Sequence, residues 1–255
     1  MVSSLLYGLA ILIVIIGGIL LLFKFARHAL KWLVIAFGIV LVASAVFGVN
    51  LFNDIRDLQE NFPKAQKLLL LKDGNTLLAG FEGKLFSSDD VLSYVSKEQL
   101  AAFQQYYNVR DLRGIRADYF KVIIFELSSF EKMDLMIGNL ASSEVLTTIR
   151  APDTLAGTVA RAIEKENLPD TPETRNFLIK DFKTKGISSN EEMRAFLFVQ
   201  LFAAALEKDH LFLMNGFKSG GIVVYPETIT FKLAKIIPTG VLKGALDKLM
   251  NSVNP

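Results

Sequence analysis

Asp118 to Leu127 read DYFKVIIFEL, and this stretch sets the class of the fold. Tyr119, Phe120 and Phe125 are aromatic, while Val122, Ile123 and Ile124 are β-branched. Such side chains suit a pleated surface and lose rotamer freedom in a helix, so the segment reads as the best strand of the chain. Upstream, KLLLLKDGNTLLAGFEG (67–83) places two apolar runs about Asp73-Gly74, a turn pair that favours a hairpin. Downstream, EVLTTIRA (144–151) reads as a second strand, and HLFLMNGFKSGGIVVYPETITFKLAKIIP (210–238) as short strands or a hairpin punctuated by Gly and Pro.

Helix starts separate these strands. Ser87-Ser88-Asp89-Asp90 caps one helix, and Ser96 with Gln99 forms a capping box that opens another. Asp153 opens TLAGTVARAIEKEN, and Thr171-Pro172-Glu173 opens a further helix. Ser189 with Glu192 opens MRAFLFVQLFAAALE (193–207), whose apolar run includes Gln200 and is too short to span a bilayer, so a central core helix is expected. TGVLKGALDKLMNS (239–252) reads as an amphipathic terminal helix with a solvated lysine face. The pattern predicts an α+β domain of mixed helices and short strands over residues 65–255.

The N-terminus is of another kind. The chain of 255 residues is 51% hydrophobic, with a mean hydropathy of +0.37, and residues 1–52 supply most of that excess. LLYGLAILIVIIGGILLLF (5–23) and WLVIAFGIVLVASAVFGVNLF (32–52) are uncharged runs long enough to cross a hydrocarbon core as helices. The link between them is short, so a two-helix transmembrane hairpin over 1–52 is expected, tethering the α+β domain through a juxtamembrane linker at 53–64. Lys24, Arg27 and Lys31 lie in the link without an acidic residue, which places it on the cytoplasmic side of a cell membrane. The α+β domain is then extracytoplasmic.

All 26 acidic residues lie from Asp54 onward, where they face 25 basic ones, the 28 of the chain less those three. A net charge of +2 therefore does not give the domain the basic face that nucleic acid requires, and a nucleic-acid partner is excluded. The chain has no cysteine and only two histidines, which excludes disulfides and Cys-based metal sites and leaves no donor set for a multi-histidine centre. No phosphate-binding fingerprint or metalloprotease motif occurs, so neither a cofactor nor a metal is expected.

One ordered set carries chemistry. Ser129-x-x-Lys132, Ser188-Ser189-Asn190 and Lys218-Ser219-Gly220 follow one another along the chain. Together they look like the S-x-x-K, S-x-N and K-[TS]-G elements of penicillin-binding proteins and serine β-lactamases. That resemblance implies Ser129 as nucleophile, Lys132 easing its deprotonation, Ser188 shuttling a proton and Lys218 orienting a substrate carboxylate. A single helix fills the stretch between Ser188 and Lys218, and a strand precedes Ser129 where that family has helix and loop. Glu126, Glu131 and Asp134 form a second acidic group, read as surface charges around a strand-to-helix turn. The preferred reading is a membrane-anchored, non-enzymatic domain that binds a protein partner or another copy of itself. The alternative is a membrane-tethered serine acyl-transferase or hydrolase.

Overall fold

In the computed structural model of the chain the described residues are 52–240, except 55, 58, 59, 62, 63, 85–91, 210 and 239. The predicted hairpin of residues 1–52, with Lys24, Arg27 and Lys31, lies outside them but for Phe52, as do Ser87–Asp90 and most of the terminal helix. Among the described residues no helix is long and apolar enough to cross a membrane. What is described is an α+β domain.

Lys67–Asp73 (β1) and Thr76–Gly83 (β2) form the expected hairpin, with Gly74 at φ 60 supplying the left-handed residue that its turn requires. Ser93–Tyr94 (β3) pairs with the outer edge of β2. Lys121–Glu126 (β4) lies parallel to β1, in register from Lys67 opposite Lys121 to Lys72 opposite Glu126. Ile222–Tyr225, numbered β7 in chain order, runs antiparallel to β4, giving the sheet order β3-β2-β1-β4-β7. Parallel neighbours need a crossover, supplied here by β2, β3 and the helices Lys97–Asn108 (α1) and Leu112–Arg116 (α2). We call the Lys67 and Lys121 end of the sheet its base and the Asp73 and Glu126 end its top.

Each face of the sheet carries its own core. On one face Leu68, Leu70, Val122 and Ile124 pack under α1 and α2 with Leu100 and Ile115. On the other, Leu69, Leu71, Phe81, Ile123 and Phe125 meet a larger helical layer. That layer comprises Ser128–Glu131 (α3), Ser142–Arg150 (α4), Thr154–Lys165 (α5), Asn190–Lys208 (α7) and Phe212–Ser219 (α8). A small antiparallel pair, Met136–Ile137 (β5) and Leu140–Ala141 (β6), leads into α4. Helix α7 is the predicted core helix, burying Leu197, Phe198, Leu201 and Phe202. The Phe125 ring sits at its centre, with centroids 5.4 Å from both Phe198 and Phe202 and 6.2 Å from Phe130. Pro172–Thr184 (α6), capped by Thr171, buries no residue at all, and Ile229–Ile236 (α9) follows β7.

Two sequence expectations are corrected. EVLTTIRA is helix α4, not a strand. Its β-branched content favours a strand, but Ser142, Val145, Leu146 and Ile149 fall on one helical face and are buried together. Thr147 and Thr148 donate their hydroxyls to the carbonyls of Ser143 and Glu144, each at 2.8 Å, which accommodates them within a helix. Among the described residues of the 210–238 stretch only β7 is a strand; the apolar runs on either side are α8 and α9. Those runs are too short to show a period, and tertiary packing of Phe212, Phe217 and Phe231 decides their form.

Replacing Phe125 by Ala removes the ring that four other phenylalanines surround, and is expected to cost about 3–5 kcal/mol. Thermal or urea unfolding of the full chain in neutral detergent measures that loss.

Candidate functional site

The Ser/Lys set is brought together only in part. Ser129 in α3, with Lys132 just beyond it, lines a cleft of about 380 Å³ together with Ser219 and Gly221. Ser129 Oγ donates to the Gly221 carbonyl at 3.2 Å, an approach that only a glycine allows, since a Cβ at 221 would lie 2.3 Å from that oxygen. Ser188 and Lys218 are not among the lining residues. Lys218 Nζ donates to the Ile237 carbonyl.

The Ser188-Ser189-Asn190 element is engaged in starting helices. Ser189 Oγ accepts the Glu192 N–H at 3.1 Å as the N-cap of α7. Glu192 accepts the backbone N–H groups of Ser188 and Ser189 at 2.6 and 3.0 Å and the Ser188 hydroxyl at 2.9 Å. Asn190 Oδ1 accepts the Leu155 N–H at 2.9 Å and so caps α5, whose own N-cap residue, Asp153, makes no side-chain cap. Arg194 on α7 donates to the Ile149 and Ala151 carbonyls at 3.1 and 2.9 Å, closing the end of α4.

Two of the acidic trio, Glu126 and Glu131, are in ion pairs. Glu126 accepts from Lys72 Nζ and from the Gly74 N–H at 3.0 Å. Glu131 and Asp73 share the Arg150 guanidinium at 2.5 and 2.8 Å. At Asp134 it is the backbone carbonyl, not the carboxylate, that accepts from Lys208 Nζ. Among the described residues no cluster of His, Asp or Glu is arranged to hold a metal.

A different constellation occupies the top of the sheet, where α1 ends beside the β1–β2 turn. A cleft of about 470 Å³ opens there, within the size range of ligand pockets. Its polar lining is Lys72, Asn75, Tyr107, Asn108 and Arg110, and its apolar lining is Leu112, Ile124 and Val223. No carboxylate lines it. Gln104 fixes the amides: its Nε2 donates to Asn108 Oδ1 at 2.6 Å and to the Asn75 carbonyl at 3.0 Å, while its Oε1 accepts the Leu77 N–H at 2.6 Å. Asn108 Nδ2 is thereby left as the donor. Burial pulls the Lys72 ammonium down, but the Glu126 carboxylate and the Tyr107 hydroxyl outweigh it and hold the pKa above the usual lysine value.

Arg110 stands apart from these. Its backbone is at φ 59, a left-handed conformation rarely adopted by a residue with a long side chain. Its guanidinium makes no hydrogen bond or ion pair among the described residues. Around it Val109 is 74% exposed and Val223 41%. A cation without an internal partner, neutral donors and an apolar floor together suit an anionic group borne on an apolar body. Sequence reading missed this site, because its residues come from β1, the turn, α1, α2, β4 and β7 and share no motif. The one local signal is Asn108-x-Arg110, where a non-glycine residue closes a helix that has no basic residue in its last turn.

No family model matches the chain, and no curated protein or solved structure matches it at a significant level.

Arg110→Gly is expected to stabilise the fold by about 1 kcal/mol, since glycine adopts the left-handed conformation without the steric cost. A rise in melting temperature measures this; an unchanged or lower value means that the arginine makes a compensating contact. Glu192 gives a pH test. Burial pushes its pKa up, but the hydrogen bonds from Ser188 and Ser189 outweigh it and leave the carboxyl below its ordinary value of 4.5. A lowered folded pKa stabilises the fold above the unfolded value, and that contribution is lost as pH falls through the folded one. Wild type is therefore expected to lose more stability than Glu192→Gln when pH drops from above 4.5 into the acid range, as read from paired melting curves.

Proposed function

We propose that this chain is a membrane-anchored, non-enzymatic domain that binds a protein partner at the membrane surface, with the top cleft as its recognition site. The observation that carries the reading is Arg110: a strained backbone holds an uncompensated cation at the mouth of a cleft with fixed amide donors and exposed apolar neighbours. Residues held in unfavourable backbone conformations persist where the surroundings impose them, and such sites are enriched in function. The ligand chemistry that fits is a carboxylate on an apolar peptide segment, with the guanidinium as its counter-ion.

Anchoring rests on the two uncharged spans of residues 1–52 and on Lys24, Arg27 and Lys31 in their link. In this reading the chain passes the membrane twice, with the short loop cytoplasmic and the α+β domain extracytoplasmic. Protease treatment of sealed spheroplasts is expected to digest the C-terminal domain; protection of that domain inverts the topology.

A photo-crosslinking residue at Val109 tests the recognition site in the full chain in its native membrane. The expected result is one discrete adduct whose yield falls about tenfold with Arg110→Glu, the order expected when a charge-assisted contact is reversed. A monomer without adducts, or adducts indifferent to Arg110, overturns the reading. The serine-enzyme alternative draws on the shared cleft of Ser129 and Lys132. It requires Ser129-dependent labelling by a fluorescent β-lactam, and absence of that label discards it.

A further inference from the structure

The top cleft offers one unit of positive charge. Lys72 is engaged internally, its ammonium donating to Glu126 and, at 3.0 Å, to the Gly74 carbonyl. Arg110 is the other cation of the lining, and no carboxylate lines the cleft. One net charge suits a monoanion; a phosphate ester, which carries closer to two, would find a single counter-ion. Asn108 Nδ2 is held as a donor by the Gln104 bond to Oδ1. A guanidinium and an amide N–H, two residues apart at the end of α1, match the two oxygens of one carboxylate.

The apolar floor belongs to the same cleft. Ile124 and Val223 are opposite each other on β4 and β7, and Leu112 at the start of α2 packs against the cluster that contains Ile124. A ligand must therefore bring in its carboxylate and an apolar group together. In an extended chain an Asp or Glu and its neighbour point to opposite sides, and the next side chain on the same side is about 7 Å along. A terminal residue has its carboxylate and its side chain on one Cα, so both enter at one point. The volume of about 470 Å³ is that of a small-ligand pocket, which a chain end fills without the chain having to pass through. A second copy meeting by this same patch across a twofold axis would oppose Arg110 to Arg110, so such a self-contact does not supply the anion.

Given the recognition reading of the top cleft, we infer that it captures the free C-terminal carboxylate of a protein segment ending in an aliphatic residue. Arg110 and Asn108 take the carboxylate oxygens, and Leu112, Ile124 and Val223 take the terminal side chain. Asn75 is the neutral polar residue of the lining available to the last peptide unit. Capture of a chain terminus is a recurring mode of peptide recognition, and here a side-chain cation and a fixed amide carry it.

Fluorescein-labelled peptides test this by anisotropy with the full chain in neutral detergent. The probes are Gly-Ser-Gly-Leu with a free C-terminus, the same peptide amidated, Gly-Asp-Gly-Leu amidated, and Gly-Ser-Gly-Gly with a free C-terminus. The free-acid leucine peptide is expected to bind, and each of the others to bind about tenfold more weakly. Arg110→Gln is expected to bring the free-acid leucine peptide down to the level of its amide and to leave the amide unchanged. Octanoate has a carboxylate and an apolar body without a peptide unit, and is expected to compete about tenfold less well than unlabelled Gly-Ser-Gly-Leu. If amidated Gly-Asp-Gly-Leu matches the free acid and depends on Arg110, the terminal assignment is overturned and the recognition site stands. Equal competition by octanoate overturns the peptide ligand, and free-acid binding indifferent to Arg110 overturns the carboxylate contact. Absence of binding by every probe overturns the terminal assignment as well; an Arg110-dependent adduct at Val109 then leaves the recognition reading standing, and no adduct removes both.

Discussion

The parallel pairing of β1 with β4 is the constraint on which the rest of the domain depends. Leu68 to Leu71 and Val122 to Phe125 are buried on both faces of the sheet, so each strand needs a helical layer above and below it. The crossover between them brings α1 and α2 to one face, and the chain after β4 supplies the other. Charge is confined to the strand ends. Lys67 and Lys121 are opposite each other at the base, both buried, with their ammonium groups on backbone carbonyls. Lys72 and Glu126 are opposite each other at the top and neutralise one another. The top cleft lies at one of these ends, where the apolar sheet gives way to groups that can meet a polar ligand.

Much of this architecture is legible in the sequence, for reasons visible in single residues. The strand at 118–127 and the hairpin about Asp73-Gly74 are strong local signals that tertiary packing reinforces. The capping boxes at Ser96 and Ser189 and the Thr171 cap are local chemistry and occur as read. Helix α4 fails because β-branched composition and helical spacing disagree there, and burial of Val145, Leu146 and Ile149 decides between them. The top cleft was not legible. It is assembled from short pieces of several elements, and nothing in a linear reading marks Arg110 as lacking an internal partner among the described residues.

The Ser-Ser-Asn element shows how a chemical motif and a structural one share residues. Ser, Asn and Glu near a helix start are what a nucleophilic site would draw on, and they are also the best acceptors for orphaned backbone N–H groups. In this fold three consecutive residues satisfy the beginnings of two helices, and Arg194 one turn later closes the end of a third. Helices α4, α5 and α7 are thereby joined by polar contacts at one corner, which gives the aromatic core beneath them a fixed roof.

Helix α6 has the opposite character. It has a proline at its start and a hydroxyl cap, yet buries none of its residues and leaves Phe177 70% exposed. Only partly buried side chains such as Phe182, whose ring lies 6.4 Å from that of Phe196, hold it to the core, so it is expected to open locally while the sheet stays intact. Amide protons there are expected to exchange with solvent before those of β1 and β4. No residue of this helix lines the top cleft, so a tag inserted there is expected to leave that cleft unaltered, which makes α6 the natural handle for immobilising the protein.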